Sequence, residues 1–291
     1  MCRWLAYSGA PVRIEDLLYA PAHSLIEQSL HSDLGAETTN GDGVGVGWYD
    51  NQPEPGVFHS VEPAWHDRNL RQLARHVSSR LVFAHIRASS GSPVQQTNCH
   101  PFRYRNWLWM HNGVVREFAR VKRDLVLEVD PALYPNIQGS TDSELLFHLA
   151  LTFGLQDDPP SAVARAVGLV ESLGARLGVS RPIQMTVATT DGETTWAFRY
   201  SSERQSRTLF FSTQIEGLRR LYPDSDVFAN ADDETRLVVS EPLSGLRGAW
   251  NEVPEGTCGI VQPGQDQLRP FQPILPARNT RRRRRAVAPA S

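Results

Sequence analysis

Met1-Cys2-Arg3-Trp4-Leu5-Ala6-Tyr7 opens the chain, and its reading decides the rest. Residues 3–7 form a short apolar run ended by Gly9 and Pro11, a strand pattern that leaves Cys2 at the strand's exposed start. Its side chain is small enough for the initiator methionine to be trimmed. Trimming leaves a thiol and a free α-amine on one residue, a nucleophile and a base with ordinary pKa values of about 8.5 and about 7.7. The other reading of Cys2 is a buried cysteine heading a first strand.

Moving outward, short helical patterns cover residues 14–20 and 24–30 around Pro21. Residues 38–49, TTNGDGVGVGWY, put a polar loop before an alternating segment with Val44, Val46 and Trp48 on one face. Gly41, Gly43, Gly45 and Gly47 imply close backbone approach, to a packed element or to a ligand. Neither GxGxxG nor GxxxxGK[ST] is present, which argues against a phosphate loop. Residues 57–61 read as a strand and 67–78 as a helix.

The polar residues concentrate next. A strand over 81–86 runs into AHIRASSG (84–91), TNCHPF follows at 97–102, and a strand over 107–110 ends in HNGVV (111–115). Strand ends carrying polar loops are where sites are built. After a helix near 122–129, Thr141 and Glu144 have capping-box spacing, which fixes Asp142 in a helix's first turn above the stripe Leu145, Leu146, Leu149, Phe153. A second helix over 161–177 is closed by Gly178. Strands are expected at 183–189, 194–200 (joined by Asp191-Gly192), 209–212, 237–240 and, last, 258–261. From Pro263 onward the composition is that of a Pro/Arg-rich disordered tail.

Bulk numbers exclude several classes. With 40% hydrophobic and 21% charged residues and a mean hydropathy of -0.37, the chain is an ordinary globular one, long enough for one large domain. No apolar run reaches the roughly 18 residues a bilayer needs and no signal core is present, so the expected location is the cytoplasm. Cys2, Cys99 and Cys258 make no CxxC pair, which suits a reducing compartment. The formal charge of -2 includes Arg281 to Arg285; without that run the body is acidic, which argues against nucleic acid on the folded face. The run itself is either a solvated tail or an arm for a partner or nucleic acid. His85, His100 and His111 lack HxxxH spacing, so hydrogen-bonded support of the site loops is expected of them rather than metal binding.

Cys2, the Arg87 loop, His111-Asn112-Gly113 and Thr141-Asp142, taken in order, resemble the glutaminase domain of class II glutamine amidotransferases, of the N-terminal nucleophile hydrolases. NGDGVGVGWY, AHIRAS, TNCHPF, HNG and TDSE together look most like the stand-alone YafJ-type members. The resemblance covers residues 2–262. It implies a four-layer αββα sandwich in the α+β class, and hydrolysis of the γ-amide of glutamine or a γ-glutamyl amide through a thioester on Cys2. It implies oxyanion donors at Asn112 and Gly113, and substrate binding by Arg87 (carboxylate), Ser90 (a helping hydroxyl), Asp142 (ammonium) and the motif's His111. No metal and no cofactor is implied, and any synthase taking up ammonia would be a separate chain. Where the synthase-bearing relatives have Trp after the loop Arg, this chain has Ala88. One rival inside the class is the ergothioneine-pathway amidohydrolase acting on a γ-glutamyl sulfur conjugate. A rival of another class is a binding or regulatory protein that kept the fold without activity.

Overall fold

Alternation along the strands sorts the hydrophobic residues into three sets, and those sets fill the three seams between four layers. The computed structural model describes residues 2–21, 23–30, 40–89, 91–213, 215–221, 223–224, 234–243, 245, 248–262 and 266–277. Its strands are β1 (Arg3–Arg13), β2 (Val44–Trp48), β3 (Gly56–Ser60), β4 (Ser78–Ile86), β5 (Phe102–Tyr104), β6 (Trp107–Val115) and β7 (Ile183–Thr190). They continue with β8 (Thr195–Ser201), β9 (Phe210–Ser212), β10 (Arg236–Val239), β11 (Trp250–Glu252), β12 (Thr257–Val261) and β13 (Gln267–Pro270). The helices are α1 (Ile14–Leu18), α2 (Leu25–Leu30), α3 (Arg68–His76), α4 (Phe118–Val126), α5 (Asp142–Thr152), α6 (Pro159–Leu177) and α7 (Ile215–Leu221).

Two antiparallel sheets result, one ordered β11-β9-β10-β1-β4-β2-β3 and the other β13-β12-β8-β7-β6-β5. On β1, Leu5 and Tyr7 turn to a cluster with Leu17, Leu25 and Leu70 of α1, α2 and α3. Trp4 and Ala6, on the opposite face, join Phe83 of β4 with Leu108 and Met110 of β6 and Ala188 of β7 between the sheets. On β6 the alternate residues Trp107 and Trp109 pack under α4, α5 and α6. A strand buried on both faces therefore carries two cores by its period of two, and the layers are helix, sheet, sheet, helix. This is the sandwich expected.

The glycines of β2 serve close packing. A Cβ on Gly45 would stand 2.0 Å from the His100 carbonyl oxygen, and one on Gly47 2.7 Å from Leu108 Cδ1. Backbone cannot retreat as a flexible side chain can. Gly45→Ala is expected to cost about 3 kcal/mol of stability, read as a lower urea midpoint at unchanged m-value.

Several local expectations change. β1 does not stop at Gly9 but continues to Arg13 through an irregularity between Ser8 and Val12 in its pairing with β4. His111-Asn112-Gly113 does not end a strand; β6 runs on to Val115, with Asn112 opposite Thr186 and Gly113 opposite Met185 of β7. The tail expected from residue 263 is packed where it is described: β13 pairs with β12, Phe271 is buried against Phe198 and Tyr200, and the Ile274 N–H donates to the Ala164 carbonyl at 2.9 Å. Composition missed it because an edge strand is held by ladder hydrogen bonds and one aromatic anchor, and an edge tolerates Pro270. Thr38, Thr39 and the run Arg281 to Arg285 lie outside the described residues.

Candidate active site

β1 sits between β4 and β10, and the site is assembled around its first residues. Cys2 meets the loop leaving β4: the Ala88 N–H donates to Cys2 Sγ at 3.4 Å, and the thiol faces the Ala88 carbonyl at 3.5 Å. Burial pushes the thiol pKa up; the Ala88 hydrogen bond and the Arg87 charge pull it down, and the Asp142 charge pushes it up again. Burial outweighs the rest, so the resting group is a neutral thiol that needs a base.

Arg87 is 3% exposed and its guanidinium holds its own loop. Nη2 donates to Ser92 Oγ at 2.7 Å, the Pro93 carbonyl at 3.0 Å and Ser89 Oγ at 3.2 Å, and Nη1 reaches the Asp42 carbonyl at 3.4 Å. Asp42 completes the hold, since its Oδ2 accepts the Ser89 N–H at 2.7 Å. Ser90 lies outside the described residues. Asn98, fully buried, ties this loop to the next: its Nδ2 donates to the Pro93 carbonyl and Ser140 Oγ, and its Oδ1 accepts the Ser140 N–H.

Thr141 caps α5 as expected, accepting the Glu144 N–H at 3.2 Å. Glu144 departs from the capping box: its two carboxylate oxygens accept the Gln138 and Gly139 N–H groups instead of that of Thr141. Asp142 is docked on β6 rather than merely presented by the helix. Its Oδ2 accepts the Val115 N–H at 2.7 Å and its Oδ1 the Ser143 N–H at 2.8 Å. The Ser143 hydroxyl lies 3.3 Å from Asp142 Oδ1 and 2.7 Å from His111 Nδ1, so His111, Ser143 and Asp142 form one hydrogen-bonded line.

Asn112 is buried, and among the described residues its side-chain amide makes no hydrogen bond. An amide held on a strand with free donors suits a developing oxyanion. Gly113 has no room for a Cβ, which would lie 2.0 Å from the Gln184 carbonyl oxygen on β7. Between the sheets, His85 Nε2 donates to the His111 carbonyl at 3.3 Å, and its ring lies 4.1 Å from that of His100. Among the described residues no three His, Cys, Asp or Glu side chains are grouped to hold a metal, and no helix is long and apolar enough to cross a membrane.

Burial drives the His85 pKa down to about 3. Above about pH 6.5 His85 is neutral folded or unfolded; below it the unfolded chain takes up a proton that the folded one refuses, so stability falls with pH towards 3. At pH 5 the loss from His85 alone is about 2 kcal/mol. Urea melts at pH 7 and pH 5 should differ by at least that, and the difference should shrink in His85→Gln.

Of the predicted residues, Cys2, Arg87 and Asp142 come together electrostatically, and His111, Asn112 and Gly113 share the strand on which Asp142 docks. Asp42, Asn98 and Ser143 were missed as site residues. All three lie inside the quoted motifs, NGDGVGVGWY, TNCHPF and TDSE, which was the available signal.

The family model for class-II glutamine amidotransferases matches residues 21–283, a stretch that begins after β1. A Saccharomyces cerevisiae protein, probable glutamine amidotransferase DUG3, is 35% identical over 93% of this chain and 84% of its own length. The γ-glutamyl-hercynylcysteine sulfoxide hydrolase of Mycolicibacterium smegmatis is 33% identical over 40% of this chain and 52% of its own. Among solved structures, a glutamine aminotransferase class-II domain protein from Silicibacter pomeroyi aligns over 94% of this chain and 100% of that one, with a TM-score of 0.71 and 33% identity. The glutamine phosphoribosylpyrophosphate amidotransferase of B. subtilis aligns over 94% of this chain and 50% of its own, with a TM-score of 0.62; at 16% identity it speaks for the fold alone.

Proposed function

The chain belongs to the class-II glutamine amidotransferases, and from that premise we propose that it cleaves the γ-amide of glutamine, or of a γ-glutamyl amide, through a thioester on Cys2. The observation that carries this is the Cys2 thiol at the head of β1, in contact with the Ala88 peptide and within reach of the Arg87 and Asp142 charges. Removal of Met1 exposes the Cys2 α-amine. With a resting thiol that burial keeps protonated, this amine takes the proton as sulfur bonds to the γ-carbon, and passes it to the nitrogen as the C–N bond breaks. The Asn112 amide and the Gly113 N–H stabilise the oxyanion. Ammonia or an amine departs, water attacks the thioester with the amine again as base, and glutamate leaves with the thiol restored.

Arg87 takes the α-carboxylate and Asp142 the α-ammonium, with Ser90 and His111 assisting. Since Arg87 is already satisfied by Ser92 and Pro93, carboxylate binding replaces those contacts and releases these two residues from the guanidinium. We assign residues 2–277 to this glutaminase domain. A synthase that takes up the released ammonia is the partner this reading calls for, and the three free cysteines suit the reducing cytoplasm.

The test is direct. Intact mass should show Met1 absent, a glutamine-mimicking diazoketone should add one adduct at Cys2, and glutamine should yield glutamate and ammonia. Protein that keeps Met1 and stays unlabelled overturns the mechanism.

A further inference from the structure

Alternation sorts the side chains of β6 between two faces. Trp107 and Trp109 pack under α4, α5 and α6, while Leu108 and Met110 fill the seam between the sheets. By the same period Asn112 faces the seam and His111 faces α5, off the side on which the oxyanion forms. There His111 Nδ1 lies 2.7 Å from Ser143 Oγ, both residues being buried. Ser143 Oγ is 3.3 Å from Asp142 Oδ1, and the Ser143 N–H donates to the same oxygen at 2.8 Å. The other oxygen, Oδ2, accepts the Val115 N–H at 2.7 Å.

One hydroxyl proton on Ser143 thus has two acceptors in reach, and His111 decides between them. Burial pushes the His111 pKa down, against the Asp142 charge and the Gln184 carbonyl, so the ring is neutral and carries a single N–H. Its Nε2 closes no hydrogen bond among the described residues. With the ring proton on Nε2, a donor is buried without an acceptor, and Ser143 turns its own proton to Nδ1, away from Asp142. With the ring proton on Nδ1, His111 donates to Ser143 Oγ and the Ser143 hydroxyl donates to Asp142. That arrangement makes two hydrogen bonds instead of one, the second to a charged group, and leaves a bare lone pair rather than an orphaned donor.

We propose that Ser143 is a positioning residue: backed by the His111 Nδ1–H, its hydroxyl fixes the Asp142 carboxylate in the orientation that takes the α-ammonium of the substrate. His111 then serves binding through Ser143 and touches no substrate atom. The assignment rests on the reading of Asp142 given above and adds to it the residues that hold this carboxylate. The Val115 N–H, the Ser143 N–H and the Ser143 hydroxyl occupy three of the roughly four acceptor positions of a carboxylate, which leaves one for the ammonium. Without the hydroxyl, Asp142 loses a donor and the His111 Nδ1–H loses its partner.

Glutamine and 4-carbamoylbutanoate, which lacks only the α-ammonium, test it. Ser143→Ala should lower kcat/KM for glutamine about 10-fold, mainly through KM, and change that for 4-carbamoylbutanoate by less than about 2-fold. Ser143→Thr, which keeps a hydroxyl, should restore most of the preference for glutamine. In the wild-type protein, which needs no substitution to be read, the proton–nitrogen correlation spectrum of the imidazoles should show His111 protonated at Nδ1. A ring protonated at Nε2 overturns the proposal. So does an unchanged KM in Ser143→Ala, or an equal fall for both substrates, which would make Ser143 a support of the fold alone. Calorimetric titration of Cys2→Ala, with and without Ser143→Ala, reads the same selectivity without turnover. If wild type hydrolyses neither compound while Cys2→Ala prefers glutamine and loses that preference with Ser143→Ala, the catalytic reading fails and this one stands. If Cys2→Ala shows no preference for glutamine, this one falls whatever the turnover.

Discussion

Cys2→Ala is expected to lower turnover of glutamine and γ-glutamyl amides by at least about 10⁴-fold, because it removes the atom that bonds to the γ-carbon. Alanine keeps the α-amine and, being small, still permits removal of Met1. The remaining site can bind and polarise an amide but has nothing to attack it with. Stability should change little, since Cys2 stands at a strand's start and, among the described residues, its Sγ hydrogen-bonds only to the Ala88 peptide. Glutamate release at saturating substrate, with a urea melt of the same sample, checks both halves. A variant that folds and retains substantial turnover would show that another residue is the nucleophile.

Asn112→Ala is expected to cost about 100- to 1,000-fold in kcat. Asn112 is a buried residue of β6, and among the described residues its side-chain amide makes no hydrogen bond that its loss would break. Its donors become valuable only when the carbonyl oxygen acquires charge, which puts the loss in kcat more than in KM. Asn112→Asp should be worse than alanine, because a carboxylate would face the developing oxyanion. The diazoketone should still reach Cys2 in Asn112→Ala, though more slowly. A fall confined to KM would assign Asn112 to ground-state binding instead.

Much of this site was legible residue by residue. The helix start at Thr141 and the position of Asp142 follow from a capping preference that operates within four residues. β2's valines and glycines announced close packing because alternation on a strand is local, although whether a ligand or a protein element filled the space was open; His100 and Leu108 fill it. Asn112-Gly113 is the counter-example. As a dipeptide it suits a tight turn, and only the neighbouring β7 keeps it extended inside β6. Glu144 likewise follows tertiary demand: two loop N–H groups at Gln138 and Gly139 take its oxygens away from the cap. β13 was illegible for a related reason, since an edge strand draws its stability from a partner far along the chain.

By itself the sequence determined the kinds of groups present and their order: a thiol at position 2, an arginine after a strand, Asn-Gly, and an aspartate at a helix start. The four layers were expected only through the family that those motifs, in that order, resemble. Tertiary structure alone decided which groups meet and in what state. Arg87 is engaged by Ser92 and Pro93, Asp142 is locked to Val115, and burial keeps the Cys2 thiol protonated.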